Sequence, residues 1–189
     1  MKSCARLLLL AICALFLAPA QAGEARLKFH YAGTVVNMVD PLNFGDSIII
    51  SDADANGSFG AMQIRVVSKF IPMMPIPDPE VSCDMPANVP FVMDYARSVT
   101  TFKDHSEMFV VWDSGWLCGT PGEPGAAAYE GFVEGRIVGG TGRFEGATGE
   151  ITSTFGGFDL TGPFVIGGPE FPSFGSWKGI TTGTVVFAH

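Results

Sequence analysis

The chain is poor in the groups that do chemistry. Lys and Arg number 11 against 19 Asp and Glu, a formal charge of −8. That balance leaves no basic cluster for nucleic acid or an anionic membrane surface, so neither is an expected partner. The three histidines, His30, His105 and His189, are isolated, with no second ligand at metal spacing. A Gly-x-Ser-x-Gly nucleophile elbow is missing; Gly175-Ser176-Trp177-Lys178-Gly179 has the wrong spacing. No stretch beyond the N-terminus keeps a period near 3.6 without a Gly or Pro interrupting it, which argues against a helical body.

The N-terminus has its own logic. Lys2 and Arg6 precede the apolar run Leu7 to Leu17, and Ala18-Pro19-Ala20-Gln21-Ala22 follows. This is the order of a cleavable signal peptide over residues 1–22. The run is well short of the roughly 20 residues a membrane-spanning helix needs, so no transmembrane anchor is expected. The expected product is one domain, 23–189, secreted or periplasmic. All the acidic residues stay with it, so its charge is more negative than that of the whole chain. Of the four cysteines only Cys83 and Cys118 remain, and in an oxidising compartment that pair is expected to form a disulfide.

The period present is two. Leu27, Phe29, Tyr31, Gly33 and Val35 alternate with Lys28, His30, Ala32 and Thr34. Met62, Ile64, Val66 and Phe70 do the same further on, as do Met108, Val110 and Trp112, and then Val133, Gly135 and Ile137. The 24 glycines and 13 prolines mark turns between these strands. Pro72, Pro75, Pro77, Pro79, Pro86 and Pro90 make 71–90 an excursion from the body, and Gly162–Pro172 is a second. Many short strands with polar turns predict an all-β domain, an antiparallel barrel or sandwich with long Pro/Gly-rich loops.

Two motifs invite a functional reading. Asp52, Asp54 and Asn56, with Gly57, match the start of a calcium loop. The twelfth position is Gln63 where a bidentate Glu is needed, and Ile48-Ile49-Ile50 before it reads as a strand. The competing reading is a hairpin turn at Asp54-Ala55-Asn56-Gly57. The string Gly139, Gly140, Gly142, Gly146 and Gly149 looks like a phosphate loop, but three residues separate Gly142 from Gly146 and no Lys-Ser/Thr follows. Tight turning between two strands is the expected role. Glu134 and Arg136 share a strand face, expected to be the solvated one.

IVGGTGRFEGATGEI, residues 137–151, resembles the strand–turn–strand signature of the allene oxide cyclase/dirigent-like barrel superfamily, with its many exported bacterial members. Gly45-Asp46-Ser47-Ile48-Ile49-Ile50 followed by the acidic turn resembles the family's early hairpin. The resemblance implies an antiparallel barrel of about eight strands around a mostly apolar lumen. Family members with known activity steer cyclisation or coupling of apolar substrates mainly by shape. No catalytic position carries over, because the matched motifs are turns. The expected function is binding of a small apolar ligand or a protein partner without a catalytic motif. The alternatives are a cofactor-independent cyclase or isomerase, with Tyr31 and Asp94 as candidate polar groups, and a calcium-stabilised extracellular module.

Overall fold

Period-two alternation needs a surface that buries one face of every strand, and here the sheet supplies it by closing on itself. A computed structural model describes residues 23–39, 47–72, 83, 89–120, 128–159 and 173–188. The strands are β1 (Glu24–Val39), β2 (Ser47–Gly57), β3 (Gly60–Pro72), β4 (Val89–Phe102), β5 (Glu107–Thr120), β6 (Ala128–Thr141), β7 (Gly149–Asp159) and β8 (Ser173–Val186). Each pairs antiparallel with its chain neighbours and β8 returns to β1, giving a closed eight-stranded barrel without a free edge. No helix among the described residues is long and apolar enough to cross a membrane. The proposed signal segment, 1–22, lies outside the described residues.

The expected inward residues point in. Leu27, Phe29, Tyr31 and Val35 are buried while Lys28, His30, Ala32 and Thr34 are not. Met62, Ile64, Phe70, Met108, Val110 and Trp112 join the same core. Each large apolar side chain so buried contributes about 1.5–3 kcal/mol. The phase slips once on β4, where Asp94 is the extra residue of a bulge facing Lys69 and Phe70. Met93 and Ala96 point in on either side of it, and Asp94 and Tyr95 are both exposed.

The strand-to-strand connections differ sharply between the two ends. At one end, Ser58-Phe59 joins β2 to β3, residues 103–106 join β4 to β5, and a single 3-10 turn (Gly142–Phe144) leads into β7. Here the acidic segment departs from expectation. Asp54–Gly57 is not the turn; it is the end of β2, paired with β1 and β3, and the chain reverses at Ser58-Phe59. Ala53 and Ala55 are buried, so the segment keeps strand alternation until Gly57 meets Gly60. The glycine string does turn between strands: Gly142 (φ 59°) and Gly146 (φ 67°) adopt the left-handed backbone that favours glycine.

An aromatic plug seals this turn end. Phe102 and Phe144 stack with centroids 4.6 Å apart, and Phe59 meets both edge-on. Phe187 packs against Phe59 and Phe144. The Arg143 guanidinium lies 4.6 Å over the Phe102 ring and 3.6 Å from the Asp104 carboxylate. A hydrogen bond from the Ser106 hydroxyl, with that from its backbone N–H and the nearby Arg143 charge, holds the Asp104 carboxyl below its ordinary pKa.

At the other end run the connections 40–46, 73–88, 121–127 and 160–172. Apart from Cys83 they lie outside the described residues, as does the predicted excursion 162–172; of the predicted excursion 71–90, both ends are instead strand, Pro72 closing β3 opposite Phe91 and Pro90 near the start of β4 opposite Cys118. Cys83 and Cys118 form the expected disulfide, with Cα atoms 5.8 Å apart. It ties Cys83 to the end of β5.

Candidate ligand-binding lumen

Half of the barrel interior is an aromatic wall, built from one three-residue pattern used four times. Tyr129-Glu130-Gly131 on β6, Phe155-Gly156-Gly157 on β7, Trp177-Lys178-Gly179 on β8 and Tyr31-Ala32-Gly33 on β1 each place an aromatic and a glycine inward. The register sets every aromatic opposite a glycine: Tyr129 opposite Gly157, Phe155 opposite Gly131 and Gly179, Trp177 opposite Gly33 and Gly157, Tyr31 opposite Gly179. A Cβ at Gly131, Gly157 or Gly179 would strike the ring of Phe155, Tyr129 or Tyr31 respectively. The glycines are therefore the seats on which the rings lie. The Trp177 indole N–H reaches over β1 at Gly33 to donate to the Asp52 carbonyl oxygen at 3.3 Å, and the Tyr129 hydroxyl donates to the Ser176 carbonyl at 2.8 Å. Tyr31 and Trp177 touch, with ring centroids 4.5 Å apart.

The facing half, β2 to β5, is lined mostly by aliphatic side chains, with Phe70 and Trp112, interspersed with small hydroxyls. Ser51, Ser68, Ser98 and Thr100 are all buried there. Ser98 accepts from the Trp112 indole N–H at 3.1 Å. A second polar station sits on the aromatic side. Thr181 donates to the Ser153 hydroxyl at 3.0 Å, and Ser153 donates to the Ile180 carbonyl at 3.2 Å. With that proton committed, Tyr31 donates to Ser153 at 2.9 Å. Burial pushes the Tyr31 hydroxyl up to about 12, against the smaller opposing effect of the Ser153 hydrogen bond. At neutral pH it is a proton-bearing donor and cannot serve as a base.

Between the walls lies a void of about 70 Å³. At roughly 15 Å³ per water it holds on the order of five waters. Its lining on β1 runs from Phe29 to Val35, a rise of roughly 20 Å at 3.3 Å per residue. The void is thus long and thin, smaller than the roughly 300–1,000 Å³ of pockets for drug-sized ligands. None of its described lining residues is charged.

Of the polar and charged site candidates singled out from sequence, Tyr31 is the one that lines this lumen. Asp94 stays outside at the β4 bulge, with a carboxylate oxygen 3.8 Å from the Lys69 ammonium. Asp52, Asp54 and Asn56 follow one another along the exposed face of β2, Asp52 paired with Arg65 at 2.7 Å. Alternate residues on a strand stand roughly 7 Å apart, so the three do not converge on one point. Glu134 and Arg136 lie on the outer face, Glu134 accepting from Ser114 and Arg136 paired with Asp113. Sequence reasoning missed the aromatic wall, although its aromatic-x-Gly repeat was there to be read. The spacing between copies is irregular, so the repeat emerges only when the strands are laid side by side.

No family model matches the chain, and no curated protein does. Among solved structures, the chain is similar to one described as the structure of the pterocarpan synthase dirigent protein GePTS1. The two share 13% sequence identity over 86% of each chain, with a TM-score of 0.39.

Proposed function

We propose that this chain is an exported barrel of the allene oxide cyclase/dirigent-like kind that holds a small, slender apolar ligand in its lumen without transforming it. The void carries this reading. Protein cores pack to crystal-like density, and a gap of this size costs on the order of 2 kcal/mol at ~24 cal/mol per Å³. A barrel built only for stability has no reason to keep it. Eight-strand closure and the position of the glycine string at the β6–β7 turn support the family assignment. The signal-like residues 1–22 and the disulfide support export, because disulfides persist in oxidising compartments. The lumen's titratable groups among the described residues are Tyr31 and Tyr129, which suits holding a ligand better than acid–base chemistry on one.

Native mass spectrometry of the purified processed form is the test. A co-purifying small molecule, lost when the lumen is filled by Ala96→Leu, is the expected result. An empty protein whose melting temperature responds to no slender apolar compound would remove the proposal.

A further inference from the structure

The wall opposite the aromatics carries hydroxyls whose bonding is unfinished. Ser51 on β2, Ser68 on β3, and Ser98 and Thr100 on β4 are buried and line the void. The register groups them. Val66 pairs with both Ser51 and Ser98, so Ser68, next on the same face of β3, is the diagonal neighbour of each at roughly 7–8 Å. Thr100 follows Ser98 on β4 at a spacing of roughly 7 Å. The Ser51, Ser68 and Thr100 hydroxyls make no hydrogen bond among the described residues, and their oxygens are not sealed off as the Asn37 Oδ1 is, so they open onto the void. Ser98 sets the polarity of what is missing. An indole N–H can only donate, so Ser98 receives the Trp112 proton on a lone pair and keeps its own proton unspent. On the aromatic side the accounting closes instead, from Thr181 and Tyr31 through Ser153 to the Ile180 carbonyl.

We infer that the lumen recognises a neutral carbonyl, and that the ligand is an unbranched ketone or ester whose oxygen accepts from Ser98 and its hydroxyl neighbours while its arms lie along the void. This rests on the ligand-binding reading above and narrows it. The unspent Ser98 proton selects an acceptor, and a carbonyl oxygen, with two lone pairs and no proton of its own, can take two of the wall's donors at once. A plain hydrocarbon would leave those donors buried and unmatched. A carboxylate also accepts, but none of the described lining residues is a cation that could compensate its buried charge. Apolar lining continues past the hydroxyls toward both ends of the barrel, to Phe70 and Met93 in one direction and to Phe29 in the other. The oxygen therefore belongs within the ligand's chain and not at its tip. The thinness of the void selects an unbranched chain over a ring.

The test titrates the processed domain at neutral pH with dipropyl ketone, heptanoate and n-pentane, followed by NMR. The wild type is expected to bind the ketone about tenfold or more tightly than heptanoate, whose charge it cannot compensate. Ser98→Ala should lower ketone affinity about three- to tenfold and leave pentane affinity unchanged. That substitution also strips the Trp112 indole of its acceptor, so the pair Ser68→Ala and Thr100→Val carries the test independently. Neither of these hydroxyls has a partner among the described residues, so the double variant is expected to fold with an unchanged or higher melting temperature. It too should lose affinity for the ketone, by about two- to fivefold, and none for pentane. Three results would each overturn the carbonyl assignment and leave the lumen reading standing: heptanoate binding as tightly as the ketone, a site that takes pentane but not the ketone, or ketone affinity that falls no further than pentane affinity in these variants. If none of the three compounds binds the wild type, the lumen reading itself falls.

Discussion

The two ends of this barrel are built on opposite principles. At the turn end, connections are short, they send Phe59, Phe144 and Ala147 into the core, and polar groups are matched: Arg143 covers three phenylalanine rings and meets Asp104, which in turn is held by Ser106. At the loop end, strands hand over to Pro/Gly-rich connections, a disulfide does the fastening, and the buried Asn37 Oδ1 has no donor among the described residues. The first arrangement closes the lumen and stabilises it. The second fastens the end of β5 to Cys83 by a covalent bond instead of by packed side chains.

Breaking the turn end should cost most. Phe144→Ala opens a cavity in the plug and is expected to lower the unfolding free energy by about 3–5 kcal/mol, read from urea denaturation. A loss smaller than that of any single substitution around the mouth would reverse the contrast. Next comes the loop end's own fastening. Replacing Cys83 and Cys118 by serine is expected to lower stability by about 2–4 kcal/mol, through the freedom regained by the unfolded chain. Arg143→Met keeps the apolar stem and removes the cation; partly exposed as it is, the loss should be about 1 kcal/mol.

The interior offers a pH readout. Because the folded-state pKa of Tyr31 is raised to about 12, above its ordinary value of 10.0, the folded state holds the proton where the unfolded state releases it. Stability is therefore complete below pH 10 and declines as the pH rises toward 12. Tyr31→Phe should remove that alkaline decline in pH-dependent denaturation, and an unchanged slope would show that Tyr31 is not its source. The smallest effect is expected on the outer face: millimolar calcium should leave the melting temperature where it is. A rise that Asp54→Ala abolishes would revive the calcium module.

How much was legible in advance varies by residue. Leu27 to Val35 and Met108 to Trp112 could be placed because alternation is local, and a buried face must repeat every second residue. The glycine string could be read as a turn because its spacing fails every phosphate-binding pattern. Asp54–Gly57 misled because turn propensity is also local, whereas the strand continues through it owing to pairing with β1 and β3. Asp94 gave no hint of its exposure, since a bulge that shifts one strand's phase depends on the partner strand's register.

The amino-acid order alone pointed to a body of β-strands, to an N-terminus that reads as a signal segment, and to the pairing of Cys83 with Cys118. Each of these follows from neighbours in sequence or from simple counting. Only the tertiary structure decided which aromatic faces which glycine and which hydroxyls meet. Those are relations between strands far apart in the chain, set when β8 closes onto β1 and fixes the register of every pair between them.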